Sequence, residues 1–342
     1  MKFTGLATGI GSLPYTDPFA AVNLISTHLP AVPFWPQLPR RDHREGMVAQ
    51  FAERLPCIKV SDEGVFFDDR EADKELEAFY DRIISQDVDY FRISREHAAG
   101  LYAFHEQLSD TNLRNIACIK CQITGPFTFA GSINDAQGNP LVFNEIFMQV
   151  IVKALIMKAL WQIKLFRHFG KPILVFLDEP YLGSFGSAYT PLDRQDVISV
   201  LTECTQPLKA PDVLIGVHCC GNTDWSIFTD VPYIDVINFD AYSFLDKILL
   251  YADPLKTFFQ RSGLLCWGVV PTQEFSDAVT LGVLKNKVDQ GMEALARKGL
   301  DRALIAENLM LSPSCGLGTL KETQAQKILK LLSELSLQFR GK

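Results

Sequence analysis

A histidine and two cysteines in the C-terminal half of the sequence are the residues best suited to chemistry. His218 and Cys220 close one apolar run, and Cys315 follows another in a Pro-Ser-Cys-Gly turn. Because side chains alternate along a strand, His218 and Cys220 should face one way and Cys219 the other. Zinc accepts imidazole, thiolate and carboxylate ligands in a tetrahedral shell. The spacing predicts a zinc site of His218, Cys220 and Cys315, with Asp240 as a fourth ligand; the alternative is a core histidine beside structural thiols.

The elements that must position these residues are apolar runs alternating with helical stretches. Most runs are continuously apolar, as in parallel strands buried on both faces. Polar residues follow nearly all of them, and (β/α)8 barrels hold their chemistry at the C-terminal strand ends. The pattern predicts an α/β fold, a single TIM barrel over residues 1–342, with a rim excursion at about 57–90. The runs cover residues 6–13, 31–37, 116–124, 173–179, 213–220, 235–241, 264–270 and 303–311.

Long amphipathic helices are predicted between and after these runs. Residues 141–169 keep an apolar face and stop at Gly170, and residues 276–298 stop at Gly299. Glycine commonly follows the last helical residue. Residues 319–340 form the last predicted helix.

Composition limits the partners and the compartment. The formal net charge is −7, whereas non-specific nucleic-acid binding requires a basic surface. The N-terminus lacks the pattern of a signal peptide, and no uninterrupted apolar run reaches the length of about 20 residues that spans a bilayer. The eight cysteines therefore suggest a reducing compartment rather than a disulfide framework. We expect a cytoplasmic protein that binds neither nucleic acid nor membrane.

The motifs IGSLP, TGP, DEP, His-x-Cys and Cys-Gly occur in this order along the chain. In this respect the sequence resembles the catalytic barrel of cobalamin-independent methionine synthase, within the superfamily that also includes uroporphyrinogen decarboxylase. The resemblance covers roughly residues 8–320. It implies a zinc-dependent thiol methyltransferase, with homocysteine held as a zinc thiolate by His218, Cys220, Asp240 and Cys315. The family usually has glutamate in place of Asp240.

An amino-acid thiol needs an anion for its ammonium and donors for its carboxylate. Asp178 and Glu179 could supply the first, with Asp178 as the catalytic residue, and the matching residues of the resembled family bind homocysteine. Two alternatives remain: the Asp-Glu-Pro turn could be only a helix start, and Glu179 could face outward because neighbours on a strand alternate. The predicted substrate-binding residues are Ile10, Gly11, Ser12, Gln37, Asp178 and Glu179.

The sequence departs from its folate-using relatives where the methyl donor is concerned. Those enzymes have a second N-terminal barrel, a tryptophan after the TGP strand and a histidine after the seventh strand. Here Ser132 lies near the tryptophan position, and no histidine follows His218. A tertiary amine leaves poorly without a proton, whereas reduced cobalt needs none. We therefore predict a methyl-corrinoid co-substrate, with a corrinoid protein as candidate partner.

Other functions remain open at this stage. A uroporphyrinogen decarboxylase-type enzyme would share the barrel, but its substrate carries several carboxylates and calls for several arginines at strand ends, and only Arg40 and Arg41 lie near one. Coenzyme M as the thiol would gain nothing from the acidic pair. Methyl-folate as the donor and a protein with inert, closed zinc are further alternatives.

Overall fold

A curled parallel sheet of seven strands forms the centre of the computed structural model, which describes residues 3–110, 113–187 and 190–340. The spatial order is β1, β9, β8, β7, β6, β5 and β4, and β2 pairs with β3 in a separate antiparallel hairpin. The strands are β1 (Leu6–Ala7), β2 (Ile58–Ser61), β3 (Gly64–Phe67), β4 (Ile119–Thr124), β5 (Ile173–Asp178), β6 (Val213–Cys219), β7 (Val236–Phe239), β8 (Leu264–Val270) and β9 (Leu309–Pro313).

Helices follow the strands and cover the outer face of the sheet. The α-helices are α1 (Pro18–His28), α2 (Ala49–Ala52), α3 (Ala72–Ile84), α4 (Ala99–Asp110), α5 (Pro126–Gly131), α6 (Glu145–Arg167), α7 (Arg194–Thr205), α8 (Ser226–Asp230), α9 (Ala241–Ile248), α10 (Ala252–Gln260), α11 (Leu281–Arg297), α12 (Arg302–Glu307) and α13 (Glu322–Phe339). Short 3-10 helices span His43–Glu45, Val88–Phe91, Leu113–Asn115, Leu141–Phe143, Pro180–Ser184, Gln206–Leu208 and Leu249–Tyr251.

The predicted strand at residues 31–37 is not a strand. Phe34 makes a single parallel bridge to Lys120 on β4. Gln37 makes another to Ser12, beyond the end of β1. Two prolines in this segment lack the N–H group that a continuous ladder requires. The sheet therefore pairs seven strands, and a closed ring of eight is not formed by strand pairing.

The last predicted strand, residues 303–311, was placed too early. Its first part is the helix α12, because the side chain of Asp301 accepts hydrogen bonds from the backbone N–H groups of Ala303 and Leu304. The strand β9 begins only at Leu309 and continues to Pro313. This shift brings the strand end, and hence Cys315, to the same edge as the ends of β5 and β6.

All three predicted helices begin later than the apolar pattern indicates, and in two of them a capping side chain marks the start. Residues 141–143 form a 3-10 turn, and α6 starts after Asn144, whose side chain accepts from the N–H of Phe147. In the predicted helix 276–298, α11 starts after Thr280, whose hydroxyl accepts from the N–H of Val283. In both cases a capping side chain fixes the start of the helix.

The longest helix, α6, is a core helix. It is the one described helix long and apolar enough to cross a membrane by length and composition, but 78% of its apolar window is buried inside the protein. Its neighbours include the predicted rim excursion at residues 57–90, which contains the β2–β3 hairpin and α3. Phe67 of the hairpin packs edge-on against Phe147 of α6, with ring centroids 4.6 Å apart.

Alternation along the strands separates a concave face from a helix-covered face. The concave face holds a small apolar cluster, whereas the other face belongs to the main core with the helices. Lys120, Asp178 and His218 each lie an even number of positions from residues of this cluster, or residues packed against it, on or next to the same strand. They therefore face the concave side. The buried members of this cluster are Phe3, Ala31, Val32, Cys118, Leu174, Phe176, Val236, Leu264, Cys266 and Met310.

Candidate metal centre and its cavity

Three side chains converge at the C-terminal edge of the sheet. One ligand atom each of His218, Cys220 and Cys315 lies within 4.8 Å of the other two. His218 is on β6, Cys220 directly follows that strand, and Cys315 lies two residues after β9. The histidine is buried, and the two cysteines are partly exposed. This arrangement can hold a metal ion between the ends of two strands that are distant in sequence.

The ring of His218 is oriented by Asn238 on β7. Nδ1 of His218 hydrogen-bonds the Oδ1 atom of Asn238. The amide nitrogen of Asn238 donates to the carbonyl of Cys266 at 2.8 Å and to the hydroxyl of Ser312 at 2.7 Å, which fixes which end of the amide is the acceptor. His218 therefore donates from Nδ1, and Nε2 is the ring nitrogen available to Cys315 or to a metal ion, the orientation of metal-binding histidines.

The two thiols share a proton. A hydrogen bond from Cys220 to Cys315, together with hydrogen bonding and charge from His218, lowers the pKa of Cys315 to about 4. The same hydrogen bond and partial burial raise the pKa of Cys220. One sulfur of the pair is thus a thiolate at neutral pH, and thiolate is the form that binds metals.

The remaining cysteines lie apart from this group. Cys220 and Cys315 are the only partly exposed cysteines among the eight. Cys219 is buried in the main core, on the opposite side of β6, and burial raises its pKa to about 12. The other five are also fully buried and belong to the core of the protein.

Asp240, the predicted fourth ligand, is not part of the converging group. Its side chain accepts a hydrogen bond of 2.9 Å from the N–H of Ser243 and caps the first turn of α9. Burial raises its pKa, and hydrogen bonds from Ser243 oppose the shift. The three-residue group is therefore left with room for a further ligand from the solvent side.

A cavity of about 970 Å³ opens directly above the group. Ile10, Ser12, Gln37 and Asp178 line it together with His218, Cys220 and Cys315. Gly11 lies behind this lining, since a Cβ atom there would come within 2.4 Å of the Gln37 side-chain oxygen. Five of the six predicted substrate-binding residues thus lie in or against one cavity.

Asp178 lines this cavity and has a buried carboxylate oxygen without a hydrogen-bond partner among the described residues. The residue is 4% exposed, and the oxygen without a partner is Oδ1. Burial raises its pKa to about 6, and the positive charge of Lys120 is the main opposing influence. A buried carboxylate with an open acceptor position is suited to binding a cation.

Glu179 lies on the other face of β5 and does not line the cavity. It accepts hydrogen bonds from the N–H groups of Phe127 at 3.0 Å and Thr128 at 2.8 Å, and from the Thr128 hydroxyl at 2.7 Å. These contacts stabilise the N-terminal turn of α5. Burial raises the pKa of Glu179 to about 7, and the same hydrogen bonds oppose that shift. The structure thus brings Asp178 to the cavity and places Glu179 under a helix.

The other predicted substrate residues are held by the loops around the cavity. Gln37 donates to the side-chain oxygen of Gln50 at 2.7 Å, which leaves its own oxygen toward Gly11. The hydroxyl of Ser12 accepts a bond of 3.2 Å from the N–H of Gly318, so its proton is available to a ligand.

Sequence reasoning missed Asn238 and Lys120. Both are fully buried polar residues on the concave face, Asn238 behind His218 and Lys120 below the turn at residues 10–12. The sequence contains a signal for both, because each residue lies two positions before another polar residue on or just after the same strand. A polar residue inside an otherwise apolar run is rarely buried without a partner.

Comparisons with known proteins give a fold and no family. No protein-family model matches the chain, and no curated protein matches it. Among solved structures, the chain is similar to a B12-independent methionine synthase from Shewanella sp. W3-18-1, solved in complex with selenomethionine. The identity is 13%, each chain is covered over 98% of its length, and the TM-score is 0.60. At this identity the likeness shows a shared fold.

Proposed function

We propose that the protein is a zinc-dependent thiol methyltransferase of the methionine synthase type, with homocysteine as acceptor. The observation that carries the proposal is the convergence of His218, Cys220 and Cys315 within 4.8 Å at the floor of a 970 Å³ cavity. The similar structure is that of an enzyme whose name states methionine synthesis. The motif resemblance found in the sequence points in the same direction.

The donor set fits a zinc ion. Ligand atoms about 2.0 to 2.3 Å from a tetrahedral ion lie roughly 3.3 to 3.8 Å from one another, and the three ligand atoms here lie within 4.8 Å of one another. In the metal-free protein Nε2 of His218 hydrogen-bonds the Cys315 thiolate, and a zinc ion would take the place of the proton between them. Bound zinc supplies a positive charge that favours the thiolate form of a thiol at the remaining position. We propose that the substrate thiol, and not Asp240, occupies this position when substrate is bound.

The other residues bind the acceptor and orient its sulfur. Asp178 binds the ammonium group through its open Oδ1 atom. Ser12 donates a hydrogen bond from its hydroxyl to the carboxylate. The backbone of Ile10 and Gly11 and the amide of Gln37 bind the same end of the substrate. Binding both ends of an amino-acid thiol directs its sulfur toward the three metal-binding side chains.

For the methyl donor we propose a methyl-corrinoid, with a corrinoid protein as candidate partner. Among the described residues that line the cavity, none is phenylalanine, tyrosine or tryptophan, and His218 is the one histidine. A flat pterin therefore lacks a stacking partner there, and His218 is already committed to the metal group. Ser132 does not line the cavity, and its hydroxyl donates to the carbonyl of Thr128. The similar enzyme is named B12-independent, so methyl-folate should be tested as a donor beside the methyl-corrinoid.

We also propose that residues 31–37 stand in the place of an eighth strand, so that residues 1–342 form one TIM-like barrel domain. The support is that Ala31 and Val32 belong to the cluster on the concave face. In addition, Phe34 bridges to β4 at one edge of the sheet, and Gln37 bridges to Ser12, beyond the end of the other edge strand, β1.

Zinc analysis, thiol binding and a methyl-transfer assay test the function. We expect one zinc per chain, binding of homocysteine to the zinc-loaded protein, and methionine from methylcobalamin. A protein without zinc, or one that binds no thiol, contradicts the proposal. Methionine formed only from methyl-folate contradicts the donor alone, and tighter binding of coenzyme M contradicts the acceptor.

The decarboxylase alternative is tested by incubating the metal-free protein with uroporphyrinogen, whose four acetate side chains such an enzyme would decarboxylate. Arg40 is the one arginine among the described cavity-lining residues, and its guanidinium donates to the carbonyl of Thr319 at 2.9 Å. With so little positive charge for a substrate with many carboxylates, we expect no release of carbon dioxide.

A further inference from the structure

Lys120 is a buried cation directly beneath the cavity. It is fully buried on the concave face, and its ammonium donates to the carbonyl of Ile10 at 2.6 Å and to the side-chain oxygen of Gln122 at 3.1 Å. The ammonium also lies 4.6 Å from the ring centroid of Phe176. A buried ion is costly unless it is paired and hydrogen-bonded, so these contacts are what makes Lys120 tolerable in the core.

The bond to Ile10 holds the turn at residues 10–12 in a fixed orientation. Lys120 binds the carbonyl of Ile10, and the carbonyl of Gly11 accepts from the N–H of Gln37 at 3.0 Å. Both carbonyls are thus engaged, and the hydroxyl of Ser12, which lines the cavity, accepts from Gly318 and keeps its own proton for a ligand. The turn that would bind a carboxylate is therefore held by a positive charge on its far side.

Lys120 and Asp178 give the cavity floor opposite charges at two points. Burial lowers the pKa of Lys120 to about 8, and the charge of Asp178 is the first influence that opposes this shift. Lys120 is thus still mostly protonated at neutral pH. The positive charge lies below the turn at residues 10–12, and the negative charge lies at the end of β5. An α-amino acid carries the complementary pair of charges.

We propose that Lys120 is a positioning residue that makes the site select thiols bearing an α-carboxylate, by orienting the turn at residues 10–12 and balancing the carboxylate charge. The inference rests on the proposed function. It assigns to Lys120 a role in specificity without contact with the reacting atoms.

The test uses two thiols and two lysine variants. Homocysteine is compared with 3-aminopropanethiol, which keeps the thiol and the ammonium but lacks the carboxylate, by calorimetry on the zinc-loaded protein. Lys120→Met removes the buried charge. Lys158→Met is the matched control, because Lys158 is also fully buried but lies on α6, outside the cavity, with no hydrogen-bond partner for its Nζ among the described residues.

We expect the wild-type protein to bind homocysteine at least about tenfold more tightly than 3-aminopropanethiol, the order expected from a charge-assisted hydrogen bond. Lys120→Met should lose most of this ratio through weaker binding of homocysteine. Its affinity for the aminothiol should change less than about threefold, because this ligand has no carboxylate. Lys158→Met should keep the wild-type ratio. In steady-state assays the loss should appear in KM for homocysteine more than in kcat.

The inference is wrong if Lys120→Met keeps the full ratio between the affinities for homocysteine and 3-aminopropanethiol. It is also wrong if the wild-type protein binds both thiols equally. A purely structural role would weaken both thiols together and would lower zinc content. If Lys120→Met does not fold, the wild-type comparison and Lys120→Arg, which keeps the charge and should keep the ratio, still decide the question. A wild-type protein that binds no thiol contradicts the proposed function itself, so the two failures are distinguishable.

Discussion

Asn238 gives the sharpest prediction about the candidate metal centre. Its side chain makes three hydrogen bonds, to the His218 ring, to the carbonyl of Cys266 and to the hydroxyl of Ser312. Asn238→Ala removes all three. At about 1 kcal/mol for each buried hydrogen bond, the free energy of unfolding should fall by about 3 kcal/mol. The zinc affinity should fall by about 10- to 100-fold, because the ring of His218 loses its orienting partner.

Two further variants separate the effect on zinc from the effect on stability. Asn238→Asp keeps an acceptor for His218 but loses the two donated bonds, so it should be destabilised and yet bind zinc more tightly than Asn238→Ala. Asp240→Ala, two residues along the same strand end, removes the cap of α9. We expect Asp240→Ala to lose about 1 kcal/mol of stability and to bind zinc as the wild type does.

Competition with a chromogenic zinc chelator measures the affinity, and urea unfolding of the metal-free proteins measures stability. Zinc binding by Asn238→Ala as tight as that of the wild type would contradict the orienting role of Asn238. If Asp240→Ala weakened zinc binding as much as Asn238→Ala does, Asp240 would be a ligand and the three-residue site would be wrong.

Three further predictions concern the residues around this centre. Glu179→Ala should lower the free energy of unfolding by about 2 kcal/mol, because it leaves N–H groups of α5 unpaired, with unchanged homocysteine affinity by calorimetry. Asp178→Asn should weaken homocysteine binding at least about tenfold, with zinc content unchanged by metal analysis. Removal of zinc should expose Cys220 and Cys315 to iodoacetamide, which mass spectrometry detects as two alkylated thiols that zinc protects.

Each of these has an outcome that counts against it. A loss of homocysteine affinity in Glu179→Ala with intact stability would assign that residue to the substrate after all. Loss of zinc from Asp178→Asn would make Asp178 part of the metal shell. Equal alkylation with and without zinc would place the metal elsewhere.

The strands whose runs are continuously apolar were predictable from sequence. Residues 264–270 were predicted within the exact bounds of β8, and residues 173–179 within one residue of those of β5. Period-two alternation along β6 placed His218 and Cys220 on one side and Cys219 on the other, as the structure has them. These features depend on local pattern, which a sequence displays directly.

What could not be predicted depends on competition between local signals and on long-range partners. Prolines within residues 31–37 outweighed the apolar pattern, and the Asp301 cap turned the start of the last run into α12. Whether Glu179 binds substrate or caps α5 depends on a helix about 50 residues away in the chain. The same holds for Asn238, whose partner His218 lies on a neighbouring strand.

The proposed site binds zinc through three side chains and leaves one coordination position open to a thiol. A crystal structure of the zinc-loaded protein, with anomalous data collected at the zinc edge, can show both features. We predict one anomalous peak about 2.0 to 2.3 Å from Nε2 of His218 and from the Sγ atoms of Cys220 and Cys315. A crystal without a peak among these three atoms, or with the Asp240 carboxylate closing the fourth position in the presence of homocysteine, would contradict the account.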